Sequence, residues 1–370
     1  MDYIQPLLTT PASILALALA FALYASIRRQ PPRPRNLNSS PFTQLPYEII
    51  EHIASFLPSA AAASFASTCV CIRLATGTQY LSALRASPTE RLALLELLLA
   101  DTPNGPIHNI PSRLLCTHCV RLVPINVGCG PSAKPACRET WEISKNHIDS
   151  SFSPPFFHTI MAMHRHGHET DELLSRISPP TYTTYDSNTR VASQHRLRYK
   201  ITDEGSLILR TQANYILPHP DVDGQTYPLS QLFCGHFGGH TSPMDKDVAL
   251  VQTKVYEGNT WSKSKFWSCP TCPTVAMVGA RKFRGRGIGL FTTWWKDLGD
   301  GRADQKWLNI ASPVVPVPPG QTKTAAYRYL DVVNGFEEGN TDYFDFDGLV
   351  SPADRKELFR LCPYKVGSGK

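Results

Sequence analysis

Ten cysteines are spread over 370 residues, and several fall into pairs with the spacing of metal ligands. Cys116 and Cys119 form one C-x-x-C pair, and Cys269 and Cys272 form another around Pro270 and Thr271. Cys234 and His236 add a C-x-H pair, while Cys129 and Cys137 follow the first pair in the chain. A C-x-x-C turn lets two thiolates reach one ion, and a structural zinc takes four cysteine or histidine ligands as a tetrahedron. Two assignments follow. In one, Cys234, His236, Cys269 and Cys272 make a self-contained zinc site and the first pair finds Cys129 or Cys137. In the other, the two C-x-x-C pairs join across the fold, although about 150 residues separate them, against about 15–20 in a zinc ribbon. The alternative to both is a set of buried thiols, since cysteine is among the most buried residue types. Neither pair opens a helix after a strand, which argues against a thioredoxin-type redox role.

Little else in the chain has the pattern of a reaction centre. His164, His166 and His168 are close in sequence, but neighbours on a helix point apart, so they read as a solvent-facing patch. The run 281–287, rich in arginine and glycine, reads as a solvated hairpin turn. There is no G-x-S-x-G, phosphate-binding loop, dinucleotide fingerprint or H-E-x-x-H, so no catalytic residue is assigned. The net charge of +6, from 37 basic and 31 acidic residues, is too small for this length to argue for nucleic acid. Ten cysteines in so long a chain do not read as the disulfide framework of a small secreted domain.

The elements that would position these residues change period along the chain. Residues 88–101 are leucine-dense, with Leu92, Leu95 and Leu99 on one helical face that should enter a core. A helix should start near residue 155, and 172–177 continues helically after a polar break. From His195 the period becomes two. Residues 196–201 and 206–216 read as strands joined at Asp203, Glu204 and Gly205, and 274–283 with 288–295 as a second hairpin. Residues 248–256 read as a further strand. Residues 313–320 (PVVPVPPG) are an extended linker, 331–347 an acidic, aromatic tail, and 352–361 a terminal helix. Helices and an antiparallel sheet in one chain make an α+β fold.

The amino terminus carries a membrane signal. Residues 7–27 hold no charge, close to the length of a spanning helix. Only Asp2 precedes them, whereas Arg28, Arg29, Arg33 and Arg35 follow, which places the carboxy-terminal side in the cytosol. A cleaved signal would begin with a basic region. The expectation is a single-pass anchor over residues 1–29 and a proline-rich tether over 30–41.

Residues 42–75, FTQLPYEIIEHIASFLPSAAAASFASTCVCIRLA, complete the reading. Leu45-Pro46 suits a helix start, because proline in the first turn forfeits no hydrogen bond. Ile49, Ile50, Ile53, Phe56 and Leu57 then make one apolar stripe. Pro58 ends that helix, and two short helices should follow. A unit of about 40 residues is at the lower limit for burying a core alone. This segment resembles an F-box, the module that docks a substrate receptor onto the Skp-family adaptor of a cullin–RING ubiquitin ligase. Beyond it, the order of segments resembles a group of F-box proteins from filamentous fungi. The markers are residues 94–103, the Cys116/Cys119 pair, 156–168, 232–236, 269–272, and 293–301 with Trp307. Gly235 departs from the Cys-Pro-His of the group, and the hydrophobic amino terminus is not general to it.

The resemblance implies a non-catalytic receptor whose adaptor-binding residues are Leu45, Pro46, Ile49, Ile50, Ile53, Phe56 and Leu57. It names no substrate, so the protein target stays unknown, and it implies a metal or core site at Cys116, Cys119, Cys234, His236, Cys269 and Cys272. The expected layout is an F-box over 42–86, an α+β receptor domain over 87–312, and a linker and tail over 313–370. A zinc-dependent enzyme or a membrane scaffold is the rival reading.

Overall fold

Prolines set the first helices. The computed structural model describes residues 41–101, 111–125, 137, 140, 142–143, 148, 152–187, 191–217, 234, 236, 243–256, 261–263, 266–283, 287–302, 304–311, 327–339 and 351–361. The expected anchor and tether lie outside these residues, and among the described residues no helix is long and apolar enough to cross a membrane. The chain divides into two units, Met1–Glu90 and Arg91–Lys370.

In the first unit, Pro46 and Pro58 are the N-caps of α1 (Tyr47–Ser55) and α2 (Ser59–Thr68). Their missing N–H groups cost nothing there, and their carbonyls accept the first helical bonds, from Ile50 at 3.3 Å and Ala62 at 2.8 Å. Extended Cys69 breaks the chain before α3 (Val70–Thr76), and its Sγ accepts a hydrogen bond from the Ile72 N–H. Gly77, at φ +66°, ends α3 in the left-handed region that favours glycine. α4 (Gln79–Ala86) follows, one helix more than the two expected after Pro58. Ala60, Ala62, Ala63 and Ala66 are buried in α2, and their small side chains allow close contact with α3 and α4. Ile50, Ala54, Ile72 and Leu84 complete this core.

The second unit begins within α5 (Pro88–Ala100). Leu99 is buried and Leu92 and Leu95 pack beside it, as their shared face predicted. A two-stranded hairpin, β1 (Arg113–Cys116) and β2 (Arg121–Pro124), precedes α6 (Pro154–Arg165) and α7 (Asp171–Ile177). The main sheet is antiparallel throughout. Its strands are β3 (Tyr182–Asp186), β4 (Val191–Ile201), β5 (Leu207–Leu217), β6 (Trp261–Lys263), β7 (Trp267–Ser268), β8 (Thr274–Phe283) and β9 (Gly287–Asp297). Their order is β3-β4-β5-β9-β8-β6, with β7 also on β8. Both hairpins read from the sequence are present, β4–β5 and β8–β9. The α+β class therefore holds.

Alternation along the strands gives the sheet two buried faces. Leu197, Tyr199, Leu207 and Leu209 meet α6 and α9 (Gln305–Ala311) on one face, in a core that includes Phe157, Ile160 and Trp307. On the same face Ala213, Ala276 and Val278 meet Val251 and Val255 of α8 (Pro243–Tyr256). The opposite face carries Ile208, Val275, Met277 and Trp295 under Val332 and Val333 of α10 (Tyr329–Glu337). Ala192 and Ile216 meet Leu358 of α11 (Pro352–Leu361) there. The central strands, covered on both sides, are almost wholly buried.

Two sequence expectations are corrected. Residues 248–256 are the end of a helix, not a strand: Val251 and Val255, four apart, are buried while Leu250 is exposed, which is a helical period. The start of the acidic tail is α10, a helix laid on the sheet, because Val332 and Val333 bury and Glu337 is neutralised by Arg210.

Candidate metal centre

Cys234, His236, Cys269 and Cys272 converge, with one ligand atom from each lying within 4.8 Å of all the others. The three cysteines are buried. Thr274 opens β8, and its carbonyl and N–H fold the preceding turn back, accepting from Cys269 N at 2.8 Å and donating to Cys272 O at 2.7 Å. The turn aims backbone donors at sulfur: Cys269 Sγ accepts from the N–H groups of Thr271 and Cys272, each at 3.4 Å. Donors directed at a sulfur favour its thiolate, the form that binds metal. The Cys269 thiol is accordingly held far below its usual range, chiefly by hydrogen bonds from Cys234 and Cys272. As donors to it, Cys234 is pushed up to about 12 and Cys272 is raised as well. His236 also reaches Cys269, and its Nδ1 is a buried polar atom with no hydrogen-bond partner among the described residues.

Lys296 explains the charge of the site. It stands in β9 opposite Leu209 and Thr274, so it shares the sheet face on which Leu209 enters the core with Cys234, Cys269 and Cys272. It is 1% exposed, and its Nζ has no hydrogen-bond partner among the described residues. Burial pushes the ammonium's pKa down, while Cys234, Cys272 and Cys269 push it up. A zinc ion with three thiolates and a neutral imidazole carries one net negative charge. A lone buried cation is costly unless a negative partner lies beside it, and this centre with zinc bound would supply one. The residues fit zinc, and four protein ligands fill its tetrahedron, the closed arrangement of a structural site.

Of the two assignments read from the sequence, the geometry matches the one that separates the pairs. Cys116 and Cys119 do not join Cys269 and Cys272; their sulfurs group with Cys137. Cys129 lies outside the described residues. Spacing also missed His158, buried in α6. Its Nδ1 meets the Gly301 carbonyl at 2.7 Å and its Nε2 the Thr117 hydroxyl at 3.1 Å. With Nδ1–H as donor, Nε2 accepts from Thr117. Burial lowers its pKa to about 3, so the ring is neutral and structural. The apolar neighbours that bury it gave no ligand-like spacing to notice. His166 and His168 are exposed, as the patch reading expected.

Parts of the second unit far apart in sequence pack on one another. Arg165 bonds Glu96 at 2.7 Å and also donates to the Asp300 carbonyl. The Phe157 and Trp307 rings lie 5.0 Å apart. A cavity of about 640 Å³ opens beside β5 and α10, lined by Lys200, Ser206, Asp297, Lys306, Tyr327 and Arg328 among others. Around it Lys306 pairs with Asp297 at 2.6 Å, Lys200 with Glu338 at 2.5 Å, and the Ser206 hydroxyl with Asp297. Lys306 Nζ also donates to the Ser206 hydroxyl, at 3.3 Å, so the three side chains form one hydrogen-bonded group.

On the first unit, Leu45, Pro46, Ile49, Ile53 and Phe56 are exposed and Leu57 is half-buried, whereas Ile50 is fully buried in the unit's own core. Comparison with known proteins yields no match: no family model, characterised protein or solved structure is significantly similar to the chain.

Proposed function

We propose that the chain is a non-catalytic substrate receptor that docks on a Skp-family adaptor of a cullin–RING ubiquitin ligase, with a structural zinc in its sheet unit. One observation carries the docking. Ile49 and Ile53 stand one turn apart on α1, Leu45 and Phe56 flank that helix at the same spacing of three or four, and all are exposed, Phe56 to 75%. Ile50 and Ala54, on the other side, close the core. Val70 and Leu74 of α3 are exposed as well. An apolar helical row held out of its own core is a surface that a partner's groove covers. The Leu-Pro start and the position of this row match the docking face that the F-box resemblance implies. The second unit then recruits an unknown protein target. The uncharged run 7–27 gives the receptor a single-pass membrane anchor, with everything that follows it on the cytosolic side. Zinc with four protein ligands has no open position for chemistry, which favours a receptor over a zinc enzyme.

The test is capture of residues 36–370 by a purified Skp-family adaptor, comparing wild type with Leu45→Ala/Ile49→Ala and Ile50→Ala. Wild type should be captured. The double variant should not be, yet it should unfold at the same denaturant concentration, because its side chains are exposed. Ile50→Ala, a core truncation, should lose about 2–5 kcal/mol of stability in that unit. Wild type that ignores the adaptor removes the reading.

A further inference from the structure

We propose that Cys116, Cys119 and Cys137 form a second metal centre, which holds a zinc-class ion through three thiolates and is separate from the four-ligand site. Their sulfurs all lie within 4.8 Å of one another, and Cys116 and Cys137 are buried. Cys116 ends β1 and Cys119 sits in the four-residue turn to β2. Cys119 N–H donates to Cys116 Sγ at 3.4 Å, which repeats the donor-to-sulfur contact of the Cys269–Cys272 turn. Val120, at φ +52°, closes the turn in a backbone region a β-branched residue rarely enters. Such strain persists where the surroundings impose it.

A disulfide does not account for the trio. It would use two sulfurs and leave the third, and Cys116 Sγ and Cys137 Sγ lie 3.6 Å apart, well beyond the bonded distance of about 2.05 Å. Three converging thiolates select soft ions of the zinc class, with the fourth corner of the tetrahedron filled by a donor outside the trio.

The ion has a mechanical role. Strands of four residues make a hairpin that is marginal by itself. An ion bound to Cys137 ties the hairpin tip to another part of the chain. It thereby holds Thr117 against His158, whose other nitrogen binds Gly301 just beyond β9. The centre is independent of adaptor docking.

The test is zinc content per chain of the full-length protein, purified under reducing conditions. Wild type should carry two ions, Cys137→Ser one, Cys272→Ser one, and the double variant none. One ion in wild type, unchanged by Cys137→Ser, overturns the proposal. Should Cys137→Ser not fold, cobalt titration of the reduced, metal-free wild type decides. Sulfur-to-cobalt charge-transfer absorption that grows to two equivalents supports the second centre, and saturation at one equivalent overturns it. A Cys116–Cys137 disulfide in protein carrying one zinc overturns it too.

Discussion

Lys296 is the residue whose chemistry would depend most on a metal in the four-ligand site. With zinc in place, its ammonium faces an anionic centre. Without zinc, thiols that regain protons leave a cation in the core with its attraction reduced. Replacing Lys296 by methionine keeps the stem and deletes the charge, so its two effects have opposite signs. Metal affinity should fall by about 10–100-fold, the usual cost of losing a group that supports the ligands. The metal-free protein should become more stable, because a buried charge is gone. Competition with a chromophoric chelator measures the first effect and denaturant unfolding in that chelator measures the second. A variant weakened equally in both states would show that Lys296 only fills space. Sequence spacing made the cysteines legible, since C-x-x-C is a local property of a turn. Lys296 was not legible, because a lysine near a strand end ordinarily faces water. Cys137 stood only as one of two choices, since no fixed spacing ties it to Cys119.

At the scale of elements, α10 shows how an acidic segment becomes part of a core. Glu337 accepts two bonds from Arg210, at 3.0 and 2.9 Å, and one from the Trp295 indole N–H at 2.8 Å. Arg210 also lies over the Phe336 ring. An ion pair this buried is worth most when intact, and removing one member strands the other charge. Glu337→Gln should therefore cost about 3–5 kcal/mol. Glu337→Leu combined with Arg210→Met should cost less than either change alone, since neither charge is left stranded. Unfolding midpoints of the single and double variants check this, and additive losses would count against the bridge as the clamp of α10. The same clamp explains why residues 331–347 read only as an acidic, aromatic tail: the arginine that neutralises Glu337 is over 120 positions away. The hairpins were legible because period two and turn residues are local. Residues 248–256 were not, since Val251 and Val255 fit either a strand or a helix until burial selects one.

For the whole molecule, the division at Glu90 separates two kinds of stability. The first unit rests on alanine packing around Ile50, Ile72 and Leu84, with no described metal cluster. The second rests on a sheet buried on both faces and on the cysteine centres. Ligands that bind only folded protein stabilise the unit that holds them, so the two units should respond to different changes. Calorimetry of residues 36–370 should show two transitions. Chelation should lower only the transition of the larger unit, the one with the larger enthalpy because enthalpy scales with the number of residues ordered. Ile50→Ala should lower only the smaller transition, and Leu45→Ala/Ile49→Ala neither. A single transition that chelation and Ile50→Ala both move would mean that the units fold as one. Adaptor binding should then raise the smaller transition alone, because the exposed row belongs to α1 while the metal belongs to the sheet unit. On the proposed reading, one partner would hold the smaller unit while metal would keep the larger one rigid, with neither task limiting the other.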